Sequence, residues 1–407
     1  MKLTRLTRLG RLRKFEKISE VFLLLLLSSC RPTPVPSTPT RPAPSTPIAG
    51  PTFTPGTTLT PGPAPTLTPT LTPTIPTNTV IERGELPPGF SLTTYAEVFS
   101  PTSLAFGPDG RLYVASTNAV VYAFADTDSD RRADKRDTFA WDVQIPLGLL
   151  WVGNTLYISY NGAVKAVADT DGDGISDRVT VIVSDLPADG RHQNDSLAMG
   201  TDGYIYLGMG STCDACLERN RLNASILRFK PDGSELSVYA SGLRNPYDLA
   251  FNAEGDLFAT DNGRDDLGDD LPPEELNHIR AGLNYGWPDC WEGNNADPIC
   301  GDEVAPVAIF EAHSSANGLT FYEGENFPAG YHGDAFVAIF GSYILPQIER
   351  GVARVKLTKQ GETYVGQSEW FLKIDGRPLD VTAGPDGGLY VVDYENGAVY
   401  RIVYGAP

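Results

Sequence analysis

The chain has 407 residues, with 51 Asp and Glu against 32 Lys and Arg, for a net charge of −19. Nucleic acid needs a basic surface, so this composition excludes it as a partner. Acidity suits solubility outside the cytoplasm and metal binding, and it names no substrate.

Residues 1–30 read as an export signal. Lys2, Arg5, Arg8, Arg11, Arg13 and Lys14 precede a short apolar run at 21–27, which ends in Leu27-Ser28-Ser29-Cys30. A basic region, a short apolar run and small residues are the parts of such a signal. The run is too short for a stable membrane-spanning helix. Its last four residues resemble a bacterial lipobox. Cys30 would then be the lipidated first residue of a protein anchored outside the cytoplasmic membrane, by lipid alone. An ordinary signal peptide is the alternative. Residues 31–79 are mostly Pro, Thr, Ser, Ala and Gly. They bury too little apolar surface to order and read as an extended tether.

Residues 80–407 form the globular part, and six strand–turn–strand units recur in it. The first is SLAFGPDGRLYVAS at 103–116, and the last is DVTAGPDGGLYVVDYEN at 380–396. Asp-Gly, Glu-Gly or Gly-Asn turns supply the positive φ angles of tight hairpins. Each second strand carries an aromatic: Tyr113, Tyr157, Tyr206, Phe258, Phe336 or Tyr390. Their spacings are 44, 49, 52, 78 and 54 residues. Such a period leaves room for two more strands per unit, which is a four-stranded blade. The expected fold is all-β, a six-bladed β-propeller. A sandwich would not repeat its own sequence, and a β-helix has shorter rungs. Residues 89–96 precede the first unit and should supply the outer strand of the last blade, removing an exposed edge. The long gap carries an insertion between Gly263 and Asn317, where 272–281 is the one segment with helical periodicity.

Cysteines 213, 216, 290 and 300 remain after Cys30. An even number in an exported domain reads as two disulfides, paired locally as Cys213–Cys216 and Cys290–Cys300. Four thiolates on one zinc is the alternative. Two acidic loops stand out. Asp169, Asp171, Asp173 and Asp177, with Gly174 between, have the spacing with which oxygens wrap calcium. Asp126, Asp128 and Asp130, with Asp134, form a copy lacking the glycine. The alternative is a pair of solvated acidic hairpins.

His192 is one of four histidines. Neutral imidazole is the usual general base near pH 7. In a propeller, His192 would stand at the channel rim, just before an inner strand. Arg244-Asn245-Pro246 and Arg377-Pro378 occupy matching places in other blades. Arginine there could bind an anion or stabilise developing negative charge. The inner-strand starts thus offer His and Arg rather than metal-binding carboxylates.

These residues lie in motifs that resemble the glucose/sorbosone dehydrogenase family, the soluble quinoprotein sugar dehydrogenases. The motifs are His192 with Leu197 and the Asp202-Gly203 turn, Ser211-Thr212-Cys213 with Cys216, and 241–246, 260–265, 267–277 and 284–288. The resemblance covers 86–404 and is closest to the sorbosone-type branch. It implies a six-bladed propeller that binds pyrroloquinoline quinone (PQQ) with Ca2+ and oxidises a sugar. It implies His192 as the base, Arg244 and Asn245 at the cofactor, and Arg244 steadying charge on it. Backbone carbonyls near Gly263 and Arg264 would hold calcium, Trp287 would line the substrate mouth, and Arg377 would meet a cofactor carboxylate. No haem motif is present, so a separate electron acceptor is implied. The chain departs from the family pattern at Asn194-Asp195, where Gly-Gly is usual, and at Ala353 and Leu379, where cations are usual. Arg354 is a substitute by composition, but strand alternation points it to the other face. The alternatives are a non-catalytic propeller binding carbohydrate or a protein, and a calcium-dependent lactonase-like hydrolase.

Overall fold

The computed structural model of the chain describes residues 84–291, 300–301 and 303–405. The export signal with Cys30, and the tether at 31–79, lie outside the described residues.

The expected six-bladed propeller is present. Each blade is a four-stranded antiparallel sheet. The first strands of the blades are Pro101–Phe106, Gly148–Val152, Asn194–Met199, Pro246–Phe251, Ala316–Phe321 and Pro378–Ala383. These six pack against one another in order, and the last packs on the first, forming the inner wall of a closed ring. The ring closes as the sequence implies. Phe90–Glu97 pairs with Ala398–Tyr404 and becomes the outer strand of blade six. Just upstream, Gly84–Glu85 adds a short fifth strand to blade five.

The repeated residues explain the repeated shape. The second-strand aromatics are buried between blades. In three of the four tyrosine copies a turn aspartate accepts from the hydroxyl: Tyr113 to Asp109 at 2.9 Å, Tyr206 to Asp202 at 2.8 Å, Tyr390 to Asp386 at 3.2 Å; Tyr157 donates instead to the Pro231 carbonyl at 3.0 Å. A turn residue thus also satisfies the polar end of a core side chain.

Polar ties join neighbouring inner strands. The Thr102 hydroxyl donates to the Pro146 carbonyl at 2.5 Å. Asp248 accepts from the Leu319 amide at 2.6 Å, and Asp380 from the Leu104 amide at 3.0 Å. Burial drives both carboxyls up, Asp248 to about 6 and Asp380 well above the usual range, with Asp248 adding to the effect on Asp380.

One expectation is corrected. Residues 272–281 contain no helix. Glu274–Ile279 is the third strand of blade four, and Ala308–Phe310 is its fourth. All six residues of Glu274–Ile279 are buried. A strand covered on both faces loses the alternation that marks strands in sequence. Its glutamates are buried with partners: Glu274 accepts from the amides of Gly263 at 2.6 Å and Ser315 at 3.2 Å, and Glu275 accepts from the Asn277 side chain at 3.0 Å. Part of the presumed insertion is therefore the outer half of a blade.

Two predictions follow from closure and burial. Phe90 makes edge-to-face contacts with Phe327, Tyr331, Phe371 and Tyr404. Phe90→Ala should cost about 3 kcal/mol in chemical denaturation. The raised Asp248 pKa means that the folded state binds more protons than the unfolded chain. Its contribution is therefore greatest below the ordinary carboxylate pKa of about 4 and is lost as pH rises through about 6. In denaturation curves measured between these values, Asp248→Asn should flatten the decline in stability with pH; an unchanged slope would contradict the assignment.

Candidate functional site

The site begins where blade three turns in from the rim. The His192 amide donates to the Ser211 carbonyl at 3.0 Å. Opposite lies Gly210, where a Cβ would come within 2.3 Å of the His192 Cβ and 2.9 Å of the Asn245 Oδ1. Only glycine lets the histidine and the blade-four entrance approach so closely. His192 Nδ1 lies 3.0 Å from the Ser211 hydroxyl, which itself donates to the Cys213 carbonyl at 2.7 Å. With the one hydroxyl proton committed, Nδ1 must be the donor, and Nε2 keeps its lone pair. Burial holds the His192 pKa well below its ordinary value, and the positive charges of Arg244 and Arg191 push it the same way. The ring is neutral at pH 7, as a proton acceptor must be.

Two arginines and two aspartates surround it. Arg244 Nη2 pairs with Asp214 at 2.7 Å and with Asp265 at 3.1 Å. Its Nε donates to the Asp214 carbonyl and its Nη1 to the Asn262 carbonyl. Four of its five N–H groups are therefore engaged, leaving one on Nη1. Arg191 Nη1 pairs with Asp214 at 3.0 Å, and its Nη2 with Asp265. His313 completes the group, with Nδ1 3.3 Å from Asp265 and Nε2 2.8 Å from the Gly268 carbonyl. Burial opposes charging of His313, but that carbonyl and the Asp265 carboxylate outweigh it and raise its pKa.

The entrance of blade four is pinned from below. The Asp261 carboxylate accepts from the Arg244 amide at 3.1 Å and the Asn245 amide at 2.7 Å. Asp261 sits directly opposite Glu275 in the next strand. Burial raises the Asp261 pKa well above the usual range, and Glu275 adds to the rise. Both residues line a cavity with Gly263, Arg264, Tyr285 and Trp287. Trp287 donates its indole N–H to the Asp214 carbonyl at 3.0 Å.

His192, Arg244, Asn245, Gly263, Arg264 and Trp287 are thus brought into one region. Arg377 stands at the entrance of blade six, three blades round the ring. It donates to the carbonyls of Phe340 and Ser342, both at 3.3 Å, and lies 3.8 Å over the Tyr343 ring. These contacts belong to blade five rather than to the His192 group. Asn194 turns into blade two, where it donates to Ser159, Tyr160 and Ala163 and accepts from Gly162. It ties two blades together and stays out of the rim. Ala353 and Leu379 are buried among apolar neighbours. Arg354 faces away, as strand alternation implies, and pairs with Asp334 and Glu369.

The inner strands do carry carboxylates just beyond their starts. Inside the rim, Asp195, Asp248 and Asp380 are buried and electrostatically linked. Asp195 is the second residue of its inner strand, and Asp248 and Asp380 are the third residues of theirs, so a reading of strand starts misses Asp248 and Asp380. Even so, the groups of three metal-ligating atoms lying within 4.8 Å of one another among the described residues do not include these three.

Both disulfides form as paired in the sequence, Cys213–Cys216 and Cys290–Cys300. The acidic loops at 126–134 and 169–177 share one geometry. Asp169 accepts from the amides of Gly172 and Gly174, as Asp126 does from Ser129 and Arg131. Ser129 and Arg131 take up the positive φ that the glycines adopt in the other loop. In each loop, oxygens of three aspartates lie within 4.8 Å of one another.

Sequence reasoning missed Arg191, Asp214, Asp265 and His313. Arg191 adjoins His192, and Asp214 lies between the paired cysteines; both positions were signals. Asp265 and His313 meet only in three dimensions.

Fold and rim define a six-bladed propeller with a charged, histidine-centred site at one face. Residues 77–401 match the family model described as Domain of unknown function (DUF7133), and the chain belongs to that family. An uncharacterised protein of Borreliella burgdorferi is 24% identical over 79% of this chain and 90% of its own length. The quinoprotein glucose dehydrogenase B of Acinetobacter calcoaceticus is 22% identical over 74% of this chain and 84% of its own length. Among solved structures, the holo form of the pyranose dehydrogenase PQQ domain from Coprinopsis cinerea superposes with a TM-score of 0.68 at 16% identity. That match covers 81% of this chain and 98% of the other.

The His313 contacts carry a prediction. Asp265→Asn should lower the His313 pKa, read by NMR titration of the four histidines. No movement would show that the Gly268 carbonyl alone sets it.

Proposed function

We propose that this chain oxidises a sugar, with pyrroloquinoline quinone and calcium as cofactors, in an exported protein anchored to the membrane by the lipid on Cys30. One observation carries the reading. His192 is neutral, its Nδ1 proton is fixed by Ser211, and no hydrogen bond among the described residues engages its Nε2 lone pair, which lies near two arginines. That is the arrangement of a base awaiting a hydroxyl proton.

The residues present fit the cofactor. Among the described residues, the buried oxygens Asn245 Oδ1 and Asn262 Oδ1 have no hydrogen-bond partner, nor does the buried Arg377 Nε beyond a 3.5 Å approach to Glu395. An anionic, polar ring system would meet Arg244 and Asn245 on one side, with Arg377 its reserve of positive charge across the ring. The quinone, when bound, would supply the acceptor for a hydride, which carries both electrons of the oxidation. Every other part of the chemistry falls to the chain. His192 takes the sugar hydroxyl proton at Nε2. The remaining Nη1 N–H of Arg244 donates to negative charge that develops nearby. Trp287 presents its ring to the sugar and helps to exclude water. The carbonyls of Gly263 and Arg264 are calcium ligands in this reading, and the carboxyls of Asp261 and Glu275 line the cavity beside them. The two acidic loops are further, structural calcium sites. A separate carrier takes the electrons away.

Ala353 and Leu379 favour a second reading, a propeller that binds carbohydrate without oxidising it. Two cations of the family pattern are replaced there by buried apolar side chains. Reconstitution with the quinone and calcium decides between the two. Cofactor absorbance is followed as aldoses are added, for the purified protein and for His192→Ala. Sugar-dependent reduction should fall about 100-fold or more in the variant. Absence of cofactor binding at saturation would overturn the dehydrogenase reading and leave the binding module.

A further inference from the structure

Asp214 is placed unlike any other residue at the rim. It lies between Cys213 and Cys216, inside the short loop that their disulfide closes. Its carboxylate accepts from Arg244 at 2.7 Å, from Arg191 at 3.0 Å and from the Asp265 amide at 3.1 Å. Its carbonyl accepts from Arg244 Nε at 3.2 Å and from the Trp287 indole at 3.0 Å. One residue therefore meets both arginines that flank His192, the tryptophan of the cavity and the loop that carries Asp265.

The loop itself is fixed at both ends. The Ser211 hydroxyl, which orients His192, donates to the Cys213 carbonyl at 2.7 Å. The Thr212 amide and hydroxyl both donate to Glu218, at 2.6 and 2.7 Å. A side chain on a loop closed by a covalent bond loses less freedom when it forms its contacts than one on an open loop, so its geometry is set in advance.

We propose that Asp214 is the positioning residue of this site, and that the Cys213–Cys216 disulfide exists to hold it in place. Asp214 touches neither reacting atom in this assignment. It fixes the two guanidinium groups and Trp287 around His192, and it neutralises part of their charge. The catalytic side of the proposal rests on the sugar-oxidation reading; the positioning of the arginines does not. The charged groups that face His192 are Arg191 beside it in the chain, Arg244 from the blade-four entrance, and, paired with both, Asp214 and Asp265. Loss of the Asp214 carboxylate leaves Asp265 as the one ion-pair partner of the two arginines among the described residues, and the more positive surroundings disfavour protonation of His192.

The test uses the full chain in three forms: wild type, Asp214→Asn, and the double variant Cys213→Ser, Cys216→Ser. Asp214→Asn keeps the size of the side chain and the disulfide but removes the charge. Phenylglyoxal labelling of Arg191 and Arg244, located by mass spectrometry, reads arginine immobilisation without any activity. Labelling of both should be about 10-fold faster or more in either variant, because charge-assisted hydrogen bonds are lost. Tryptophan emission should shift in the double variant only, since Asp214→Asn keeps the carbonyl that holds Trp287. With quinone, calcium and sugar, kcat in Asp214→Asn should fall about 10- to 100-fold, with sugar KM nearly unchanged. The acid limb of its kcat/KM profile should move to lower pH. Labelling within twofold of wild type in both variants would overturn the proposal. So would faster labelling with kcat and the acid limb unmoved. If wild type oxidises no sugar, the sugar-oxidation reading fails, and the labelling rates still decide whether Asp214 holds the arginines.

Discussion

A propeller is a ring, and a ring made from one open chain must be fastened somewhere. Here the fastening is the pairing of Phe90–Glu97 with Ala398–Tyr404, which joins the start of the domain to its end within blade six. The Phe90 ring reinforces the joint. It packs on Phe327, Tyr331 and Phe371 of blade five and on Tyr404 of blade six. The six inner strands pack in order around the ring, the last on the first, so the position of each entrance depends on that closure. His192, Arg244 and Arg377 all stand at such entrances.

The inner wall is more polar than a sheet core usually is. Asp248 and Asp380 are buried, yet each accepts two backbone amides, one in its own blade and one in the next. Buried polar groups are tolerable when hydrogen-bonded, and here they set the spacing between blades that share no covalent link beyond one connection. The consequence is a column of carboxyls with raised pKa values along the axis, beneath a rim that gathers arginines. Tyr247 points across the same axis and packs with Leu379 and Tyr394, so the channel is a filled core at that level.

The site arises where blades three and four depart from the repeat. Their loops are longer, carry both disulfides, and bring Asp214, Asp265 and His313 to the entrance residues. Arginine beside a neutral histidine depresses the pKa of the histidine, and carboxylates beside the arginines limit that effect. A base must be unprotonated and still basic, so in the proposed role of His192 the balance of these charges would matter as much as the imidazole itself. The same pairing restricts Arg244, most of whose N–H groups already have acceptors within the protein.

The sequence by itself determined the repeat, the blade number, the closing strand and both disulfides. Alternation, turn glycines and cysteine neighbours are signals over a few residues, and the aromatic that recurs every 44 to 78 residues counts the units. It also marked the entrances, because an inner strand announces its own start. It misjudged 274–279, since burial on both faces erases the period that separates strand from helix. Only the tertiary structure decided which polar side chains meet. Asp214 reaches Arg244 across 30 residues, and Asp265 reaches Arg191 across 74. It also decided that Asn194 turns into blade two, that Arg354 faces away, and that Asp195, Asp248 and Asp380 gather along the axis. Contacts of this kind depend on how blades stack around a ring, and no local pattern in the chain encodes that distance.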